Sequence, residues 1–92
     1  MRYAWDSAKD AANRRKHGFS LAEAIPALED PYRDVWVDDR FDYDEERFIN
    51  LGLSPRGVLY AVYTEQAEDE IGIISARKAE AHEIERYGHG RT

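Results

Sequence analysis

Seven side chains could together handle a phosphodiester: Lys16, His17, Glu46, Arg47, Tyr63, Arg77 and Lys78. Metal-free RNA cleavage needs a base to take the 2′-hydroxyl proton. It also needs cations to hold the phosphorane-like charge and an acid for the leaving oxygen. These seven include candidates for each task, but their spacing alone does not select that chemistry. Arg77 and Lys78 stand out because of what surrounds them. Ile71-Gly72-Ile73-Ile74 reads as a buried strand, and Ser75 follows as a candidate helix cap. On that reading both bases fall in the first turn of a helix. The dipole disfavours cations there, while the backbone N–H groups favour a phosphate.

Each residue also has a structural reading. His17 and Lys16 stand beside Gly18, at an expected helix C-terminus where the dipole favours cations whatever their use. Arg47 follows Asp44, Glu45 and Glu46 and can form a surface ion pair. Tyr63 suits a central strand, and Trp5 and Trp36 suit the core. Arg77 and Lys78 support both readings alike.

Other chemistries find no pattern. The three histidines, His17, His82 and His89, lack zinc-site spacing, and the acids between Asp38 and Glu46 lack the glycine and rhythm of a calcium loop. No phosphate-cradling glycine motif or nucleophile elbow is present. No metal and no cofactor is expected.

Ninety-two residues make one domain, 1–92, and 42% hydrophobic residues suffice for a modest core. The absence of cysteine fits a reducing cytoplasm, and no apolar run has the length of a membrane span. The net charge is −6, unevenly spread. Residues 1–18 carry five bases against two acids, whereas residues 19–50 carry three against ten. An acidic middle can repel off-target RNA, attract a basic partner, or simply keep a loop solvated.

Positioning of the seven falls to an expected order β-α-α-β-β-β-β-α. Arg2 to Trp5 is a short strand, Asp6 a cap, and the first helix runs to Lys16 with Gly18 as its stop. Ala8, Ala11 and Ala12 form that helix's expected packing face. Ser20 and Glu23 make a capping box for a second helix, striped by Leu21, Ala24, Ile25 and Leu28 and kinked at Pro26. Strands are expected over Arg33–Val37, Glu45–Leu53, Val58–Thr64 and Glu70–Ser75. A last helix follows over Ala76–Tyr87, with a frayed tail beyond it. The fold class is α+β, an antiparallel sheet with two N-terminal helices and one C-terminal helix packed on it.

In that order the chain resembles the BrnT toxins. Trp5-Asp6, Asn13, Lys16-His17-Gly18, Ser20 and Ala24 look like the family's opening. Asp30-Pro31, Glu46-Arg47, Gly52, Val62-Tyr63-Thr64, Ile73 to Ala79, Glu83 and Tyr87 continue it. The resemblance implies a RelE-like fold and a ribonuclease toxin of a type II toxin–antitoxin system, cleaving RNA without metal. It implies as partner a ribbon-helix-helix antitoxin of BrnA type, in a hetero-oligomer that reaches operator DNA only through the antitoxin, with no membrane partner. Carried over by position, His17, Glu46, Arg47 and Arg77 would be catalytic, and Lys16, Tyr63 and Lys78 would bind RNA. Members commonly carry arginine where Gly72 stands and bases where Gln66 to Glu70 and Ala81, His82 and Glu85 stand. These losses motivate an alternative: a toxin-fold subunit that binds the antitoxin and modulates operon repression with little cleavage of its own.

Overall fold

The computed structural model describes residues 1–42 and 44–89, so Tyr43 in the charged loop and the expected tail residues Gly90 to Thr92 lie outside the described residues. The expected order of elements is present. Strand β1 (Arg2–Ala4) precedes α1 (Ser7–His17). A 3-10 turn (Leu21–Ala24) then leads into α2 (Ile25–Leu28). Strands β2 (Asp34–Val37), β3 (Arg47–Ser54), β4 (Gly57–Ala67) and β5 (Glu70–Lys78) follow, and α3 (Ala81–His89) closes the fold. The sheet order is β1-β5-β4-β3-β2. Strands β2 to β5 form the expected antiparallel meander, but β1 joins β5 in parallel, which makes the five-stranded sheet mixed.

Capping sets the helix ends. The Asp6 carboxylate accepts from the Ala8 and Lys9 N–H groups at 2.7 and 3.1 Å. Gly18 ends α1 at φ 76°, in the left-handed region that favours glycine. The second helix differs in detail from a single kinked one. It is split, and Pro26 falls in the first turn of α2, where its missing N–H costs nothing. Its apolar stripe is as expected: Leu21, Ala24 and Leu28 are buried against Ala61, Ile73 and Ala76.

The sheet has two covered faces. The 3-10 turn and α2 pack on the first, over Ala61 and Ile73. On the second, Ile49, Leu51, Tyr60 and Val62 meet Ala79 and Tyr87 around α3. Gly52 lets α2 approach closely: a Cβ there would lie 2.0 Å from the Ala27 carbonyl oxygen. Asn50 fixes the same contact by donating to that oxygen at 3.0 Å. Buried Asp30 joins three elements, accepting from the Tyr32 and Leu53 N–H groups and from the Tyr87 hydroxyl.

Two further expectations are corrected. Helix α1 does not pack through Ala8, Ala11 and Ala12, which are all exposed; its buried residue is Asn13. Trp5 is 40% exposed rather than in the core, whereas Trp36 packs edge-on to Tyr60. The cause for α1 is polar: Asp10 and Asn13 tie it down through backbone groups of Leu21, Phe19 and Ala76. A search for apolar periodicity cannot register such an anchor.

Candidate active site

The site is organised by one irregularity in β5. Tyr63 pairs with Ile73 but Val62 pairs with Ser75, so Ile74 is an extra residue in the ladder. A bulge of this kind moves every later side chain to the opposite face. Ile73 and Ala76 both face the first core, while Ile74 packs into the second. Beyond the bulge Ser75 lies opposite Val62 and Arg77 opposite Tyr60, both on the second face. Arg47 belongs to that face as well, two residues before Ile49 on β3.

Helix α1 closes the other side. Strand β1 covers β5 only over residues 70–72. Further along that edge, the Asn13 carboxamide donates to the Ala76 carbonyl at 2.8 Å and accepts from the Ala76 N–H at 3.1 Å. It therefore replaces a strand for one residue. Its second N–H reaches the Phe19 carbonyl at 2.8 Å. This anchor brings the last turn of α1, with Lys16 and His17, alongside Ser75.

The result is an open groove of about 400 Å³. Lys9, Ala12, Asn13, Lys16 and His17 line it from α1, Ile74 and Ser75 from β5, and Arg47 from β3. Three cations and an imidazole meet there, and Asp42, Asp44 and Glu45 line an adjoining hollow with Arg47. Burial first, then the charges of Lys16 and Arg77, hold the His17 imidazole below its ordinary value of 6.5. It is therefore neutral at pH 7 and can accept a proton.

Arg77 is placed differently from the expectation. Strand β5 continues to Lys78, and the Ala79 N–H still donates to the Val58 carbonyl at 3.0 Å. Helix α3 begins only at Ala81, so Ser75 caps nothing and neither base lies in a helical first turn. Pairing with β4 outweighs the local cap signal. The guanidinium donates to both Glu83 carboxylate oxygens at 2.8 and 2.9 Å and lies 3.9 Å over the Tyr60 ring. That hydrogen-bonded pairing raises its affinity for the proton. Glu83 also accepts from the Glu80 N–H at 2.8 Å, so Arg77 supports the start of α3. Burial works against ionising Glu83, but its bonds from Arg77 and Glu80 prevail and hold the carboxyl below its ordinary value.

The other expected residues divide between the faces. Glu46 is exposed at the entry to β3, next to Arg47 but outside the groove lining. Tyr63 stacks on Phe48 at 5.3 Å and packs toward Leu21 and Ile73, on the first face. Lys78 lies opposite Leu59, whose side chain packs with Phe19 and Ala27, so it too falls on the side away from Arg77. Lys16, His17 and Arg47 are brought together, with Arg77 close enough to influence His17; Tyr63 and Lys78 are not. Lys9 and Ser75 were missed as site residues. Lys9 was legible, since it stands on the helix face of Asn13 and Lys16 at i+4 and i+7 spacing. Ser75 was not, because its facing depends on the bulge.

A different group could hold a metal. Ligand atoms of Glu80, His82 and Glu83 lie within 4.8 Å of one another, but Glu83 is committed to Arg77. Among the described residues no helix is long and apolar enough to cross a membrane.

The model of the family described as "Ribonuclease toxin, BrnT, of type II toxin-antitoxin system" matches residues 5–83. The chain belongs to the BrnT family. Its fold is similar to the 1.1 Å crystal structure of the Brucella abortus ribonuclease toxin BrnT, with a TM-score of 0.63 and 22% identity. That match covers 87% of this chain and 97% of the Brucella chain. No curated protein matches. The BrnT resemblance in the sequence thus has a physical basis in several places. Asn13 anchors α1, Gly18 ends it, Gly52 admits α2, and Asp30 and Tyr87 join α2 to α3.

Proposed function

We propose that this BrnT-family chain is an endoribonuclease toxin that holds the RNA backbone in the groove between α1 and β5. The observation that carries the reading is the lining itself: Lys9, Lys16 and Arg47 around a neutral His17, on a chain of net charge −6. Such a site selects a polyanion by local field against the global charge. His17 takes the 2′-hydroxyl proton, and Arg47 and Lys16 stabilise charge on the phosphoryl oxygens. The imidazolium so formed can return that proton to the leaving 5′-oxygen, and Glu46, next to Arg47 in sequence but outside the groove lining, enters as a proton-transfer group on the family resemblance alone. Cations fill the place a metal would take, so the reaction runs without one. Arg77 acts through its charge on His17. In the cell the toxin is neutralised in the cytoplasm by a basic ribbon-helix-helix antitoxin of BrnA type. The resulting hetero-oligomer touches operator DNA only through that partner.

The test is RNA cleavage in excess chelator by wild type, His17→Gln and Arg47→Ala. Wild type should cleave, and each variant should lose about a hundredfold or more, the scale of a general base or an oxyanion donor. Undiminished cleavage by the combined His17→Gln/Arg47→Ala variant would refute the assignment.

A second reading has its own support. The bidentate hold of Glu83 on Arg77 removes one cation from substrate binding, and the segment before Arg47 is acidic. On this reading the chain binds an antitoxin and tunes repression without cleaving. Growth arrest when the chain is expressed alone, relieved by the antitoxin, would exclude it.

A further inference from the structure

We infer that Asn13 is the positioning residue of the groove: its carboxamide locks the register of β5 beyond the bulge and fixes the last turn of α1 in the same contact, so that His17 and Ser75 line one groove and Arg77 stays on the sheet face of Ser75. The inference rests on the proposed site for its functional consequence, but its geometry stands independently. Asn13 is 6% exposed and makes three hydrogen bonds, to both backbone groups of Ala76 and to the carbonyl of Phe19. Ala76 is the first core-facing residue after the bulge and is fully buried. Were β5 to slip back by one residue, Ser75 and Arg77 would turn toward the first face and Ala76 would leave the core. Strand β1 ends its pairing at Gly72 and cannot prevent that slip. Asn13 is the group that occupies the edge where the register must hold.

The same amide governs the distance between α1 and β5. Asn13 and His17 are one helical turn apart, so the imidazole sits over the strand only while the amide is docked. The charges that act on His17 are those of Lys16 on α1 and Arg77 on β5, and Lys9 on α1 and Arg47 on β3 line the same groove. Undocking α1 would expose the ring and move it away from Arg77. Its proton affinity would then return toward the ordinary value of 6.5.

The experiment is an NMR titration of His17 in the full chain, comparing wild type, Asn13→Ala and Asn50→Ala. Asn50 is a buried amide on the contact between α2 and β3, so its variant loses stability without touching the groove. The His17 midpoint should rise in Asn13→Ala and stay at its wild-type position in Asn50→Ala. An unchanged midpoint in folded Asn13→Ala, or an equal rise in both variants, would overturn the inference. Hydrogen exchange on wild type covers the case in which Asn13→Ala does not fold. Slow exchange is expected for the Ala76 amide and for the Asn13 side-chain protons, and exchange of either at the rate of an exposed amide would overturn the inference. Kinetics then separate it from the ribonuclease reading. If wild type cleaves RNA, Asn13→Ala should lose about tenfold or more in kcat with KM little changed, and an unaltered kcat would sink the functional part. If wild type cleaves no RNA, the ribonuclease reading fails while the titration still decides whether Asn13 positions His17.

Discussion

Replacing Glu83 by Gln separates the two jobs that Arg77 could do. The native pair is bidentate, with Glu83 only 10% exposed and Arg77 26% exposed at their side chains. Charge-assisted hydrogen bonds of this kind contribute about 1.5–3 kcal/mol each when buried. Gln retains one acceptor for Arg77 and can still accept from the Glu80 N–H, so about 2 kcal/mol should be lost, roughly the value of one such bond. For a domain of this size that corresponds to a fall in Tm of about 8–16 °C. The pH dependence gives a second signature. The folded-state proton affinity of Glu83 is lowered from the ordinary 4.5, so its contribution is present above that pH and is lost as pH falls through the lower folded value. Thermal melts of wild type and Glu83→Gln should therefore differ most near neutrality and converge in acid.

The function of Arg77 reads out in the same variant. Released from Glu83, its guanidinium can turn to RNA, and each added phosphate contact steepens the salt dependence of single-strand binding by about 0.7 in log–log slope. Tighter binding and a steeper slope in Glu83→Gln would mean that the native pair restrains a latent phosphate ligand. A Tm change under about 2 °C would refute the reasoning at its root, because the pair would then be too weak to hold Arg77.

Three further outcomes test the remaining geometry. If neutral His17 is the base, kcat/KM for RNA cleavage should rise with pH through a midpoint below 6.5, and His17→Gln should abolish that limb along with most of the activity. Arg47→Ala should weaken RNA binding and reduce the salt slope by about 0.7, measured by fluorescence anisotropy from low to moderate salt. Gly52→Ala should cost about 3 kcal/mol or prevent folding, since the new Cβ would meet the Ala27 carbonyl oxygen at 2.0 Å; a denaturant midpoint within error of wild type would contradict that contact.

Much of the fold was legible because caps, turns and strand composition act locally. Asp6 and Gly18 bound α1 as their chemistry requires, Ser20 and Glu23 start the second helical segment, and the valine- and isoleucine-rich runs form the strands. The errors fall where a distant partner decides. Ser75 carries a helix-cap signal, yet pairing of β5 with β4 extends the strand through Lys78. The alanines of α1 looked like a packing face, yet the amide of Asn13 and the carboxylate of Asp10 dock the helix. In both places a long-range hydrogen bond overrides a local preference.

The candidate site shows the same division more sharply. Lys16, His17 and Arg47 could be nominated by residue type, and they do share a groove. Which of the later residues joins them turns on parity, and parity turns on the single inserted residue Ile74. With a regular strand, Lys78 and Ser75 would exchange faces and Arg77 would be directed toward the 3-10 turn and α2. The segment Ile73 to Ala79 is therefore read best as a bulged strand whose alternate residues serve opposite faces. Ala76 and Lys78 belong to the first side, Ser75 and Arg77 to the second. Its two bases cannot grip one phosphate as neighbours. Any anion they hold is shared with residues from other elements, since Arg77 shares its sheet face with Arg47 of β3. That separation is why the cationic character of the site belongs to the fold rather than to a motif, and why a chain so acidic overall can still present it.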